Sequence, residues 1–196
     1  GAAIRLQSET VLGKCMPVHA LLAVGQSQSS SRLGDYIDNA QPKDMVYDGI
    51  LLHSGAEPAT NKPAVPTFVV YTMSEGNGTV ADGPNMVEWM VAGATHNDKR
   101  VTSRGSEVAE VIGVPVSKCL NPMNDFPSYR VYNAVLDWLN RWVRDGDRPP
   151  AGMRFQERGG QLVMDGYSNV LGGVRSPDIE VPIATHGFDN GPADLT

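Results

Sequence analysis

The chain has 196 residues, 41% of them hydrophobic, and a formal net charge of −6. That length suits one domain or a large piece of one. The acidic balance and the absence of any Lys/Arg cluster exclude the electrostatic footprint of a nucleic-acid binder or a polybasic membrane patch, and no apolar run approaches the roughly 20 residues of a membrane-spanning helix.

Residues 20–25 hold the apolar run Ala20-Leu21-Leu22-Ala23-Val24 and read as a buried strand, because the run is continuous rather than alternating. Residues 28–40 read as a helix: Leu33, Tyr36 and Ile37 fall at helical spacing, and Asn39 to Pro42 supplies the stop. Asp48 to His53, with Gly49-Ile50-Leu51-Leu52, predicts a second buried strand that ends at Ser54-Gly55. A loop rich in Pro, Ala and Asn covers 56–66. Thr67 to Thr72 is β-branched and aromatic and predicts a third strand. Gly76-Asn77-Gly78 marks a loop, and Met86 to Val91 a fourth strand, followed by Ala92-Gly93-Ala94-Thr95-His96.

From 97 to 127 the chain reads as loop-rich. Residues 128–144 then carry the clearest helical pattern, with Tyr132, Val135, Leu136, Leu139, Trp142 and Val143 on one face; Trp138 and Trp142 read as core packing. Asp145-Gly146 and Pro149-Pro150 end it. Met153–Gln156 and Gln161–Met164, joined across Gly159-Gly160, predict a hairpin, and an extended tail follows. The class is therefore α/β, with a mostly parallel sheet and flanking helices. Residues 1–150 form its core, and residues 151–196 a hairpin and tail packed on the same domain.

Gly25-Gln26-Ser27-Gln28-Ser29 stands between the first strand and the first helix, the setting of a nucleophile elbow. A serine hydroxyl attacks at neutral pH only when a base takes its proton and a third group orients that base. In open α/β folds functional groups collect past the carboxyl ends of strands. Glu75 follows the third strand and His96 the fourth. The order Ser27, Glu75, His96 is the Ser…Asp/Glu…His order of the α/β-hydrolases.

The blocks Ala23–Ser29, Tyr47–Ser54, Val91–His96, Asn121–Asp125 and Leu171–Pro177 together resemble a bacterial and fungal family of α/β-hydrolase-domain proteins read as serine esterases. The resemblance runs from about Leu21 to about Ala184, and Gly-Gln-Ser-Gln-Ser and Ala-Gly-x-x-His are its most diagnostic parts. It implies Ser27 as nucleophile, His96 as base and Glu75 as acid. It departs from the general Gly-x-Ser-x-Gly pattern at Ser29, where a small residue is still kept. In the full fold the nucleophile follows the fifth of eight strands, whereas one predicted strand precedes Ser27 here. The chain thus resembles the C-terminal half of the fold, and a second chain is expected to supply the N-terminal half, giving a heterodimer; a cleaved precursor or a truncated chain are the other readings.

The expected function is hydrolysis of a small carboxylic ester through an acyl-enzyme, with the Gln28 amide holding the oxyanion. Acyl transfer by the same residues and a non-catalytic subunit role are the alternatives. Asp82 rivals Glu75 as the acid. His53 ends a strand and is a candidate pocket residue or a structural hydrogen-bonding group. Asn124 and Asp125 either shape the pocket or cap the 128–144 helix, and His186, in the tail, carries no expected role. No metal or cofactor is expected, because the histidines are scattered away from any carboxylate cluster. Cys15 and Cys119 are too few for a disulfide scaffold and leave open one bridge or two free thiols.

Overall fold

The computed structural model describes residues 18–191 apart from 57, 61, 77, 79–81 and 117–118. Its main elements are β1 (Leu22–Gln26), α1 (Gln28–Asn39), α2 (Gln41–Asp44), β2 (Gly49–His53), β3 (Thr67–Thr72), β4 (Met86–Val91), α3 (Lys99–Val111), α4 (Tyr129–Asp145), the short β5 (Glu157–Arg158) and β6 (Gln161–Leu162), and α5 (Pro177–Glu180). They divide between two compact units that interleave in sequence.

The first unit holds the described residues up to Tyr71, then Gly78–Trp89 and Tyr132–Gly152. Its centre is the sheet, in the order β1-β2-β3-β4, with β1 pairing parallel to β2 and β2 parallel to β3. Every residue of β3 and β4 is buried, as the continuous apolar runs require of strands covered on both faces. The register shows how β1 and β2 are covered. Leu22 pairs with Gly49, and Gly25 with Leu52, so Leu22 and Gly49 share one face while Ala23 and Gly25 lie on the other. A Cβ on Gly49 would meet Leu139 and Val143 of α4. A Cβ on Gly25 would meet the backbone of Ser29 and Ser30 in α1. The two helices therefore sandwich these strands from opposite sides, and the architecture is α/β with flanking helices.

The helix expected at 128–144 is present as α4. Val135 and Leu139 are fully buried, Trp142 is buried, and Trp138 is half-buried under the Arg141 guanidinium, 4.1 Å from the ring centre. β1 departs from expectation. It is a sheet edge, alternately buried and exposed, with Val24 57% exposed. The apolar run predicts a strand but not the number of its neighbours, and β1 pairs with β2 alone among the described residues.

The second unit comprises Thr72–Asn77, Met90–Val131 and the described residues from Met153 onward. Val174 extends the end of β4: its amide donates to the Met90 carbonyl (2.6 Å) and its carbonyl accepts from the Ala92 amide (3.0 Å). The expected loop over 97–127 is corrected here, because Lys99–Val111 is helical. Asp98 caps it, its side chain accepting from the Val101 amide at 3.0 Å, and no residue of the helix is buried. Its apolar residues are few and exposed, Val101, Val108 and Val111 among them, and Gly105 with Thr102, Ser103 and Ser106 lowers its helix propensity. Asn121–Asp125 is irregular, as expected. The hairpin turns at Gly159-Gly160, but its paired residues are Glu157–Arg158 and Gln161–Leu162. Phe155 and Met164, expected within it, bridge instead to Gly172 and Val170.

Candidate active site

Ser27 is the single residue between β1 and α1, with φ 56° and ψ −123°. This conformation costs a non-glycine residue of order 1–3 kcal/mol and persists only where the surroundings impose it. Here they do. The Ser27 amide donates to the His53 carbonyl at 2.9 Å, and the Ser27 carbonyl accepts from the Ser31 amide at 3.1 Å. A Cβ on Gly25 would lie 2.8 Å from Ser29 and Ser30 backbone atoms, and one on Gly55 would lie 2.5 Å from the Ser27 carbonyl oxygen. Strand and helix can approach this closely only without side chains at those two positions. Gln28 opens α1, so its amide is one of the groups that a helix leaves without an internal partner and aims outward from its N-terminus.

In the second unit, Glu75 and His96 meet. His96 Nδ1 lies 2.9 Å from Glu75 Oε1. The other carboxylate oxygen, Oε2, accepts from the Thr72 amide at 2.8 Å and the Thr72 hydroxyl at 2.6 Å. The His96 amide donates to Ser74 Oγ at 3.0 Å. Because a carboxylate only accepts, Nδ1 carries the hydrogen and Nε2 is the acceptor nitrogen of the neutral ring. The loop after β3 thus fixes the tautomer of a histidine on the loop after β4, and the His96 side chain stays 34% exposed.

The remaining expected residues have other partners. Asp82, the rival acid, accepts through Oδ1 from the Glu88 amide at 2.8 Å and so anchors β4. His53 Nε2 meets the Tyr132 hydroxyl at 2.5 Å, with ring centres 4.3 Å apart. Asn124 does not cap α4. Its Nδ2 donates to the carbonyls of Gly93 (3.0 Å) and Gly187 (2.8 Å), and its Oδ1 accepts from the Phe126 amide. Asn124 and Asp125 line a cavity of about 680 Å³ in the second unit, and so does His186, whose ring packs edge-on against Phe126. Nothing local in the sequence marks His186, because its neighbours come from distant segments.

Cys119 carries an exposed free thiol, and Cys15 lies outside the described residues. Among the described residues no group of three or more His, Cys, Asp or Glu side chains could hold a metal ion, and no helix is long and apolar enough to cross a membrane. No curated protein matches the chain, and no solved structure does. A strand that leads through a strained serine into a helix, and an acid–histidine pair past two further strands, accord with the one comparison that does match: the model of the alpha/beta hydrolase domain family covers residues 1–195, and the chain belongs to that family.

Proposed function

We propose that the chain is a serine hydrolase acting on carboxylic esters. The observation that carries this reading is the backbone of Ser27, held at φ 56° between strand and helix. Such strain marks a residue kept for what its side chain does, because glycine would take the same turn without cost. Ser27 Oγ attacks the ester carbonyl carbon and passes its proton to Nε2 of His96. Glu75 holds the imidazole through Nδ1 and stabilises the imidazolium that forms. The oxyanion is bound by the Gln28 amide. Collapse of the tetrahedral intermediate expels the alcohol, which takes the proton back from His96 and leaves an acyl-enzyme on Ser27. Water, deprotonated by His96, then releases the acid. Support for the assignment comes from the chain order and from the hydrogen bond that orients His96.

The same reading includes a second chain seated against β1. The exposed edge at Val24 supports it, since an edge strand presents backbone groups on which a neighbouring strand can pair. An oxyanion hole also uses two donors, and the partner would supply the second. If so, the isolated chain turns over esters some 10²–10³-fold more slowly than the assembly. Full turnover by the purified chain alone would remove the partner from the proposal.

A fluorophosphonate probe tests the chemistry directly. The expected result is a covalent adduct on the Ser27 peptide, absent after His96→Ala. Native assembly that stays unlabelled beside a reactive control hydrolase would overturn the reading.

A further inference from the structure

The cavity beside Asn124 is built by the chain rather than left between loosely packed loops. Its two walls, residues 119–125 and 184–190, are tied together along their length. The Leu120 amide donates to the Gly191 carbonyl at 2.8 Å. The Asn121 amide donates to Asn190 Oδ1 at 3.0 Å, and Asn190 Nδ2 donates back to the Asn121 carbonyl at 2.9 Å. Asn124 closes the inner end through Gly93 and Gly187. Thr95 and Asn97, the residues on either side of His96, belong to the lining. The volume of about 680 Å³ is within the range of small-molecule sites.

The chemistry of the lining selects a kind of ligand. Asn97, Thr102 and Asn121 are among the lining residues, and no hydrogen bond to another described residue engages the side-chain amide or hydroxyl of any of the three. They offer donors and acceptors in the same place, which suits a group that is itself both. One lysine, Lys99, stands with two carboxylates, Asp125 and Asp189, so the cavity has no surplus of positive charge with which to hold an anion. Phe188 completes the wall and is 44% exposed. An exposed aromatic side chain in a cavity with both polar and apolar lining offers stacking surface to a ring that is polar at its rim and apolar on its faces.

We propose that this cavity binds a neutral, polyhydroxylated group, such as a sugar ring, and that this group is the part of the ester substrate held on the His96 side. Its place in the substrate rests on the hydrolase reading above; its binding does not.

Cys119 lines the same cavity and its free thiol reports occupancy. The experiment measures the rate of Cys119 alkylation by iodoacetamide, resolved by peptide mass, with and without methyl glucoside in the millimolar to molar range. Glucoside is expected to slow alkylation several-fold, whereas sodium hexanoate, an aliphatic anion without hydroxyl groups, leaves the rate unchanged. Phe188→Ala should weaken the protection by roughly three- to tenfold through the lost stacking surface. Asn97→Ala, which breaks no hydrogen bond to another described residue, is the second variant and should weaken it as well. An unchanged rate with glucoside, equal protection by hexanoate, or full protection in both variants would overturn the proposal. Ser27→Ala protein should give the wild-type protection. A failure of fluorophosphonate labelling at Ser27 therefore leaves this result standing and strikes only the hydrolase reading.

Discussion

Glu75 holds His96 through one carboxylate oxygen, at 2.9 Å from Nδ1, while its other oxygen is held by the amide and hydroxyl of Thr72, the last residue of β3. The Glu75 carboxylate is thus anchored to the end of β3 as well as to the imidazole. A carboxylate on a free loop would have to be ordered each time the imidazole turned. This one is ordered by two donors from the strand it follows, and its reach to His96 is settled by folding.

The two candidate acids separate experimentally. Glu75→Gln removes the acceptor that fixes the imidazole and is expected to lower kcat by roughly 10⁴, the loss seen when the acid of a serine triad is replaced by its amide. Asp82→Asn should leave kcat within a few-fold and instead cost about 1 kcal/mol of stability through the weakened bond to the Glu88 amide. Ester turnover and thermal melting of the two variants read both effects, and the reverse pattern would make Asp82 the acid.

Ser27 should show stability and activity opposed in one residue. Ser27→Gly relieves the positive φ and is expected to raise Tm by roughly 2–4 °C, for a gain of about 1 kcal/mol in a chain of this size. Ser27→Ala keeps the Cβ, and therefore the strain, so its Tm should stay near wild type. Both lose the hydroxyl and with it most ester turnover. Calorimetry beside an esterase assay decides it: a Ser27→Gly variant less stable than Ser27→Ala would mean that the turn is not strained.

The strands and their following residues were legible because burial on both faces leaves a continuous apolar run, and the candidate residues stand where that run stops. Ser27, Glu75 and His96 were singled out as candidates that way. α4 was legible from its stripe, since Val135, Leu139 and Trp142 are spaced as one buried helix face. α3 was not, because it buries nothing. The edge position of β1 was hidden for a different reason: strand pairing is a relation between segments, and Val24 looks the same in a central strand as in an edge strand. The cavity walls were hidden likewise, Asn124 and Gly187 being 63 residues apart. The different partners of the two carboxylates, His96 for Glu75 and the Glu88 amide for Asp82, were hidden as well, because the sequence of one loop does not carry them.

Gly25 tests how tightly the Ser27 turn is built. A methyl group there would sit 2.8 Å from the Ser29 carbonyl carbon and oxygen and the Ser30 amide nitrogen. These are backbone atoms of a helix and cannot rotate away. Gly25→Ala should therefore push α1 off β1, at a cost of roughly 1–3 kcal/mol, and should lower kcat at the same time because Ser27 and Gln28 move with the helix. A Gly25→Ala protein with wild-type melting and turnover would show that the strand–helix contact is looser than described.

Asp165 gives a pH dependence with a definite sign. Its carboxyl is held below the ordinary 3.8, first by the hydrogen bond from the Asn169 amide and then by the Tyr167 amide and the Arg175 guanidinium, against an opposing desolvation effect. Arg175 in turn binds Glu180 and the carbonyls of Val170 and Ile179, so the ionised Asp165 secures the chain from 165 to 180. A carboxyl whose folded pKa is depressed contributes stability above its unfolded pKa and loses it as pH falls through the folded value. Wild-type protein should therefore be more stable than Asp165→Asn at pH 5 and above. The difference should shrink as pH drops below 3.8, because wild type then protonates the same group. Urea midpoints for the two proteins across that range measure it. A gap that stays constant down to the acid limit would show that the carboxylate charge contributes nothing beyond what the amide of asparagine supplies.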